Sequence, residues 1–151
     1  MRKFEIVKQE QIKYENSNIT LPNRATKNSA GYDFYSPIDL TIEPHMSEII
    51  WTNVKACFNC DEVLILAVTS GMGKNGIMLA NNIGIIDADY YSNISNDGNI
   101  GFRLHNFSEN KYNIHVGDKI GQGLFMKYLT IDNENIIEKT RVGGFGSTVK
   151  K

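Results

Sequence analysis

Apolar and polar residues alternate along most of the chain. Phe4 and Ile6, and again Leu40 and Ile42, stand two apart between polar neighbours. This is the period of a half-buried β-strand, whose successive side chains face opposite sides. Ile100, Phe102 and Leu104 alternate with Gly101, Arg103 and His105, and Tyr112, Ile114 and Val116 with Asn113 and His115. The run from Val63 to Val68 is apolar throughout and predicts a strand buried on both faces. Turn signals separate these segments. Asp97-Gly98 predicts a hairpin, because both residues accept positive φ, and Gly117-Asp118 predicts another turn. A helical period is hard to find. The best candidate, Gly71 to Leu79, is short and glycine-rich. Many short strands with frequent turns predict an all-β, antiparallel sandwich or closed barrel, and closure would remove exposed strand edges.

Length and charge narrow the possible functions. A chain of 151 residues predicts one domain with a core large enough to need no staples. The formal net charge is −1, and no basic stripe interrupts it. That pattern argues against direct nucleic-acid binding, but an anionic small molecule needs only a few local cations. No apolar run approaches the length of a membrane span. The stretch from Met1 to Val7 is charged and alternating, without the apolar centre of a signal peptide, so a cytoplasmic protein is expected. Cys57 and Cys60 form a C-x-x-C pair, but His45, His105 and His115 are scattered. Reduced thiols fit this better than a zinc site.

Residues 140–151 differ from the barrel-like residues 1–139. Gly143, Gly144 and Gly146 predict a flexible arm, with few apolar residues to dock it. Arg141 carries a permanent cationic fork suited to phosphate oxygens. Ser147 and Thr148 add hydroxyl donors, and Phe145 offers a face for stacking. Ordering such a segment costs about 1–2 kcal/mol per residue, which a highly charged ligand could offset.

Two further segments carry candidate chemistry. Asp87 and Asp89 follow the apolar run Ile83-Gly84-Ile85-Ile86 and stand two apart. A regular strand would place them on one face. A carboxylate at the edge of an apolar strand is partly desolvated, which suits a general base. The alternative is a surface turn whose aspartates cap backbone N–H groups. Thr69-Ser70-Gly71-Met72-Gly73-Lys74 leaves a predicted strand and could turn N–H groups toward an anion, or form an ordinary turn. The P-loop spacing is absent.

Taken in order, five segments resemble the five motifs of the trimeric dUTPases. They are Ala30-Gly31-Tyr32-Asp33, Ser70-Gly71-Met72-Gly73, Gly84-Ile85-Ile86-Asp87-Ala88-Asp89-Tyr90, Gly117-Asp118-Lys119-Ile120-Gly121-Gln122, and Arg141 to Thr148. The resemblance implies an antiparallel, jelly-roll-like β-barrel assembled as a homotrimer, with each active site shared between subunits and closed by a neighbour's arm. It implies hydrolysis of dUTP to dUMP and pyrophosphate, with Asp87 activating the attacking water. Asn81, Gly84, Tyr90, Gly101 and Phe145 match groups that hold uracil and deoxyribose. Backbone of a hairpin from Gly84 to Gly101 would supply the remaining base contacts, and Tyr90 would exclude a 2′-hydroxyl. Ser70, Gly71, Gln122, Arg141, Ser147 and Thr148 match phosphate contacts. Asp33 matches a carboxylate near the water shell of Mg²⁺, and Asp89 a residue that bonds the turn backbone. The pattern breaks at Thr69, where the family usually has arginine. That break leaves room for a dUTPase-like regulatory module that binds nucleotide with weak hydrolysis.

Overall fold

The structure is a computed structural model that describes residues 1–15, 17–135 and 141–144. Its strands are β1 (Lys3–Ile6), β2 (Tyr32–Tyr35), β3 (Leu40–Ile42), β4 (Ser47–Trp51), β5 (Val54–Cys57), β6 (Glu62–Ala67), β7 (Ile77–Leu79), β8 (Gly84–Asp87), β9 (Gly101–Asn106), β10 (Tyr112–Ile114) and β11 (Lys119–Lys127). One short helix, α1 (Ser70–Lys74), follows β6, and 3-10 turns lie at Gln9–Gln11 and Ala88–Tyr90. Strand pairing is antiparallel throughout. A four-stranded sheet runs β2-β11-β6-β8, a three-stranded sheet β4-β9-β7, and the pairs β1-β5 and β10-β3 complete the barrel. Neighbours within each sheet are mostly distant in sequence, which is the jelly-roll-like, all-β arrangement that the alternating pattern predicts.

The two larger sheets meet through aromatic rings. Phe34 on β2 and Phe102 on β9 are fully buried, with ring centroids 5.3 Å apart. The approach is so close that a Cβ on Gly121 of β11 would lie 2.2 Å from Cε1 of Phe102. Only glycine fits there. Ile42, Ile50, Leu64, Leu66, Leu79 and Leu104 fill the same core.

Three local expectations change. Val63 to Val68 is not buried on both faces. In β6, Glu62, Leu64 and Leu66 face the core while Val63, Ile65 and Ala67 are half-buried. The pleat sends alternate side chains to an outer face, where Ile65 stands beside Leu124 of β11 and Ile85 of β8. The helix is shorter than Gly71 to Leu79. Gly76 takes a φ of 77°, pressed against Ser108, and ends the helical path before β7 begins.

The third change concerns the loop between β8 and β9. Asp97 and Gly98 both adopt positive φ, but β8 pairs with β6 while β9 pairs with β4 and β7. Gly84 to Gly101 is therefore not a hairpin. The loop folds inward because Asp97 is drawn into the body. Its Oδ2 meets the buried Lys55 Nζ at 2.7 Å and accepts the Lys8 amide at 2.8 Å. Burial pushes the Asp97 carboxyl up, but the Lys55 and Lys8 hydrogen bonds outweigh it and hold the group below the usual carboxylate range. A lowered folded value means stability present above the ordinary range and lost as pH falls through the folded one.

Lys55→Met would leave the Asp97 carboxylate buried without its cation. We expect a loss of about 3–5 kcal/mol in urea unfolding, with most of it recovered in the double variant Lys55→Met/Asp97→Asn, since asparagine tolerates positive φ. Equal stability of Lys55→Met and the parent chain would contradict this account of the loop.

Candidate active site

β8 ends at Asp87, and the chain turns at once into the 3-10 segment Ala88–Tyr90. Asp87 and Asp89 are therefore not on one continuous strand, yet they do converge. The Arg141 guanidinium bridges them, with Nε 2.7 Å from Asp89 Oδ1 and Nη2 in close contact with Asp87 Oδ2. Asp89 thus spends its carboxylate on Arg141 rather than on turn backbone. Both carboxylates stay about half exposed, while Arg141 is largely covered.

Tyr90 comes next and is buried at 5% exposure. Its phenol donates to the Asn99 carbonyl at 2.8 Å and accepts from Asn96 Nδ2 at 2.7 Å. Burial raises the phenol above its ordinary value, against the Asn96 hydrogen bond and the nearby Arg141 charge. The group stays a neutral donor at neutral pH. Gly144 lies on the ring, close enough that a Cβ there would stand 2.7 Å from Tyr90 Cε2. The Ser95 amide donates to the Val142 carbonyl, so the described part of the arm, residues 141–144, rests on its own chain.

These groups border a cavity of about 320 Å³, within the range of small-molecule sites. Asn81, Gly84, Asp87, Tyr90, Gly101, Arg141 and Gly144 line it, over an apolar floor that includes Leu66, Leu79 and Ile86. Asn81 is held at the mouth by a tight turn, in which Asn82 takes a φ of 66° and donates its amide to Leu79. Gly84 allows β8 to press on Leu66 of β6, and Gly101 lies under the Trp51 ring. Arg103 also lines the cavity and was not singled out from the sequence. The inward placement of Phe102 and Leu104 was the signal that Arg103 faces outward from the core.

A second cleft, of about 310 Å³, lies along Thr69, Gly71, Asn75, Tyr112, Asp118 and Lys119. The two cavities share no lining residue. Thr69 is the N-cap of α1, its Oγ1 accepting from the Met72 amide at 3.3 Å. Ser70 opens that helix and is exposed. A Cβ at Gly71 would meet only Thr69 Oγ1 at 3.9 Å, and one at Gly73 would meet nothing. The fold itself does not require either glycine. Gln122 sits on β11 between Asp33 of β2 and Ala67 of β6, and its side chain packs onto Gly31, leaving no room there for a Cβ. Asp33 pairs with Lys119 Nζ at 2.6 Å, and Lys119 likewise escaped the sequence reading. Lys74 is exposed and does not border this cleft. The positions of Phe145, Ser147 and Thr148 lie outside the described residues.

The five sequence segments thus fall into two groups. The one with Asp87 and Tyr90 meets Arg141 at the first cavity. The other three meet along β2, β11 and the turn after β6. Among the described residues, no three His, Cys, Asp or Glu side chains cluster closely enough to hold a metal, and no helix is long and apolar enough to cross a membrane.

Comparison with known proteins agrees with this geometry. A family model described as dUTPase matches residues 17–149. A deoxyuridine 5'-triphosphate nucleotidohydrolase of Lactococcus lactis is 38% identical over 150 residues, covering 98% of this chain and 97% of that protein. The fowlpox virus protein of the same name is 35% identical, covering 85% and 88%. Among solved structures, a dUTPase from Streptococcus mutans superposes with a TM-score of 0.74 at 34% identity, over 86% of this chain and 98% of that one. The dUTPase of phage phi11 of Staphylococcus aureus shares the fold at a TM-score of 0.70 and 22% identity, over 92% and 97%. With the family match running through most of its length and a 38% identical relative along nearly all of it, the chain belongs to the dUTPase family.

Proposed function

We propose that this chain hydrolyses dUTP to dUMP and pyrophosphate at a site whose base and sugar pocket is the cavity around Asp87 and Tyr90. The observation that carries the reading is the meeting, in one small cavity, of a half-exposed carboxylate, a buried aromatic wall and an arginine on the arm. Its relatives carry the name of that activity.

In this reading uracil and deoxyribose enter between Asn81, Gly84, Gly101 and Tyr90. Asn81 reads the base edge, and the ring of Tyr90 leaves no space for a 2′-hydroxyl. Asp87 accepts a proton from water as the water oxygen bonds to the α-phosphorus. The bond from that phosphorus to the bridging oxygen breaks, and pyrophosphate leaves. Positioning and charge stabilisation supply most of the rate in such phosphate chemistry. Arg141 leaves Asp87 and Asp89, which frees the base of its own chain, and meets the γ-phosphate of the site that its arm closes. Ser147, Thr148 and the stacking ring of Phe145 complete the arm.

Gly71, which lines the second cleft, binds phosphate together with Ser70 at the start of α1 and Gln122 on β11. Glycines that the fold does not need at positions 71 and 73 suit close approach of backbone to an anion. The donor set fits Mg²⁺ carried on the triphosphate rather than caged by protein, since it holds no cluster of three ligands among the described residues. Asp33, paired with Lys119, would touch only the water shell. Bound there, Mg²⁺ would neutralise phosphate charge.

A homotrimer accounts for two observations. The cavities share no residue, so a complete site can combine one chain's Asp87 cavity with another's phosphate cleft. The outer face of the four-stranded sheet is also apolar, with Ile85 and Met126 about half exposed. In a trimer the arm, residues 140–151, would close a neighbour's site. Free Cys57 and Cys60 suit a reducing cytoplasm.

A regulatory module with weak hydrolysis gains nothing from Thr69, which has a structural duty as a helix cap.

Pyrophosphate release should be fast with dUTP and Mg²⁺, stop with EDTA, and stay low with UTP, dTTP and dCTP. Light scattering of the same sample should give the mass of three chains. Tight binding of dUTP without turnover would overturn the enzymatic reading. Asp87→Asn should abolish turnover and keep nucleotide binding by calorimetry, because an amide accepts no proton. A variant as active as the parent would remove Asp87 from its role. Thr69→Arg should raise turnover by returning a cation to the phosphates, and lower stability by about 1 kcal/mol through loss of the cap. An unchanged rate would mean that the cleft no longer accommodates that charge.

A further inference from the structure

The loop between β8 and β9 is built largely of asparagine and serine, the residues of an ordinary surface turn. Its asparagines are nevertheless buried. Asn93, Asn96 and Asn99 are 7%, 8% and 0% exposed. What they surround is Tyr90. Asn96 Nδ2 donates to the phenol oxygen at 2.7 Å, and the phenol donates to the Asn99 carbonyl at 2.8 Å. Asn93 Nδ2 reaches the backbone carbonyl of Tyr90 itself at 2.8 Å and, equally close, Asn96 Oδ1. Asn96 Oδ1 also accepts the Gly98 amide at 3.1 Å, which fixes which way the Asn96 amide points.

The support extends deeper. Asn99 Oδ1 accepts the Asn53 amide at 2.9 Å, and Asn99 Nδ2 donates to Asn53 Oδ1 at 3.2 Å. The Lys55–Asp97 ion pair pins the same loop to β5. Tyr90 is thus tied at its backbone and at the far tip of its side chain.

A ring that excludes a hydroxyl by steric contact is only as selective as it is stiff. Apolar pockets reject an added hydroxyl weakly, by roughly a hundredfold at best, because walls move. A ring clamped at its phenol tip cannot tilt to admit the extra oxygen, whereas a free one can. Tight support around a contacting group is what converts shape into discrimination.

We propose that Asn96, with the Asn99 carbonyl, is a positioning element for sugar selection. It holds the Tyr90 ring rigid through the phenol, so that ribonucleotides are excluded. The proposal rests on the reading that Tyr90 faces the deoxyribose.

The test is a double-variant cycle read as the ratio of kcat/KM for dUTP over UTP. Tyr90→Phe keeps the ring but removes the clamped hydroxyl, and Asn96→Ala removes the clamp from the other side. Each should lower the ratio roughly tenfold, chiefly through a better KM for UTP. The double variant should be no worse than Tyr90→Phe alone, because Asn96 holds the phenol only through the oxygen that Tyr90→Phe removes. A merely structural Asn96 would lower thermal stability in both backgrounds while leaving the ratio intact, and that result would overturn the proposal. So would effects on the ratio that multiply in the double variant. Tyr90→Phe leaves the loop's asparagines in place, so the test survives if Asn96→Ala fails to fold. Tyr90→Ala separates the two levels. If it relaxes selection while Tyr90→Phe and Asn96→Ala do not, the clamp is wrong and the sugar-facing ring stands. If Tyr90→Ala also keeps full selection, the sugar-facing reading itself fails, and the proposal fails with it.

Discussion

The contact between Phe102 and Gly121 sets the geometry of everything else. Here the three-stranded and four-stranded sheets press together, and no side chain larger than hydrogen fits on β11 at that point. On either side of it stand the residues of both cavities. Gly101 and Arg103 of the first flank Phe102 on β9, and Lys119 of the second stands two residues before Gly121 on β11. A methyl group at position 121 would have to displace Phe102 or the Ala67 backbone, and core packing gives little room for that. Strand spacing would then shift under both clefts at once. The hydrophobic core and the site are in this sense one construction.

Charge is handled as economically as volume. The three carboxylates named as site candidates each have a basic partner within the chain. Asp87 and Asp89 share Arg141, and Asp33 has Lys119. A chain with a net charge of −1 offers no general attraction for a triphosphate, so selection of an anion falls to a few local cations. Thr69 illustrates the opposite trade. Where a cation is usual, this chain has a hydroxyl that satisfies a helix amide, so local stability stands in the place of substrate charge.

Much of this was legible in the sequence, and the limits have physical causes. Alternation marked β9 correctly, and the same alternation placed Arg103 outside the core, but what it faces depends on β7 and β8. Asp87 and Asp89 were expected to share a face through strand geometry. They converge instead because one guanidinium holds both across a change from strand to 3-10 turn. Val63 to Val68 looked buried on both sides because composition cannot distinguish a core from an apolar outer face. The loop after Tyr90 was the least legible. Asn, Ser, Asp and Gly signal a turn, and positive φ at Asp97 and Gly98 bears that out. Its burial depends on Lys55, 42 residues away in the chain, and no local rule reports such a partner.

The resting place of Arg141 has a thermodynamic consequence. An arm whose cation already has two anionic partners does not gain a full set of new charge interactions when it meets phosphate. It exchanges one set for another, so the net electrostatic gain is a difference between two similar quantities. In the proposed role, the ions released on phosphate binding would therefore be fewer than a count of phosphate contacts suggests, and affinity correspondingly less sensitive to salt. In the proposed trimer the same exchange would couple neighbouring sites, because the Arg141 that meets phosphate at one site uncovers the Asp87 of its own chain.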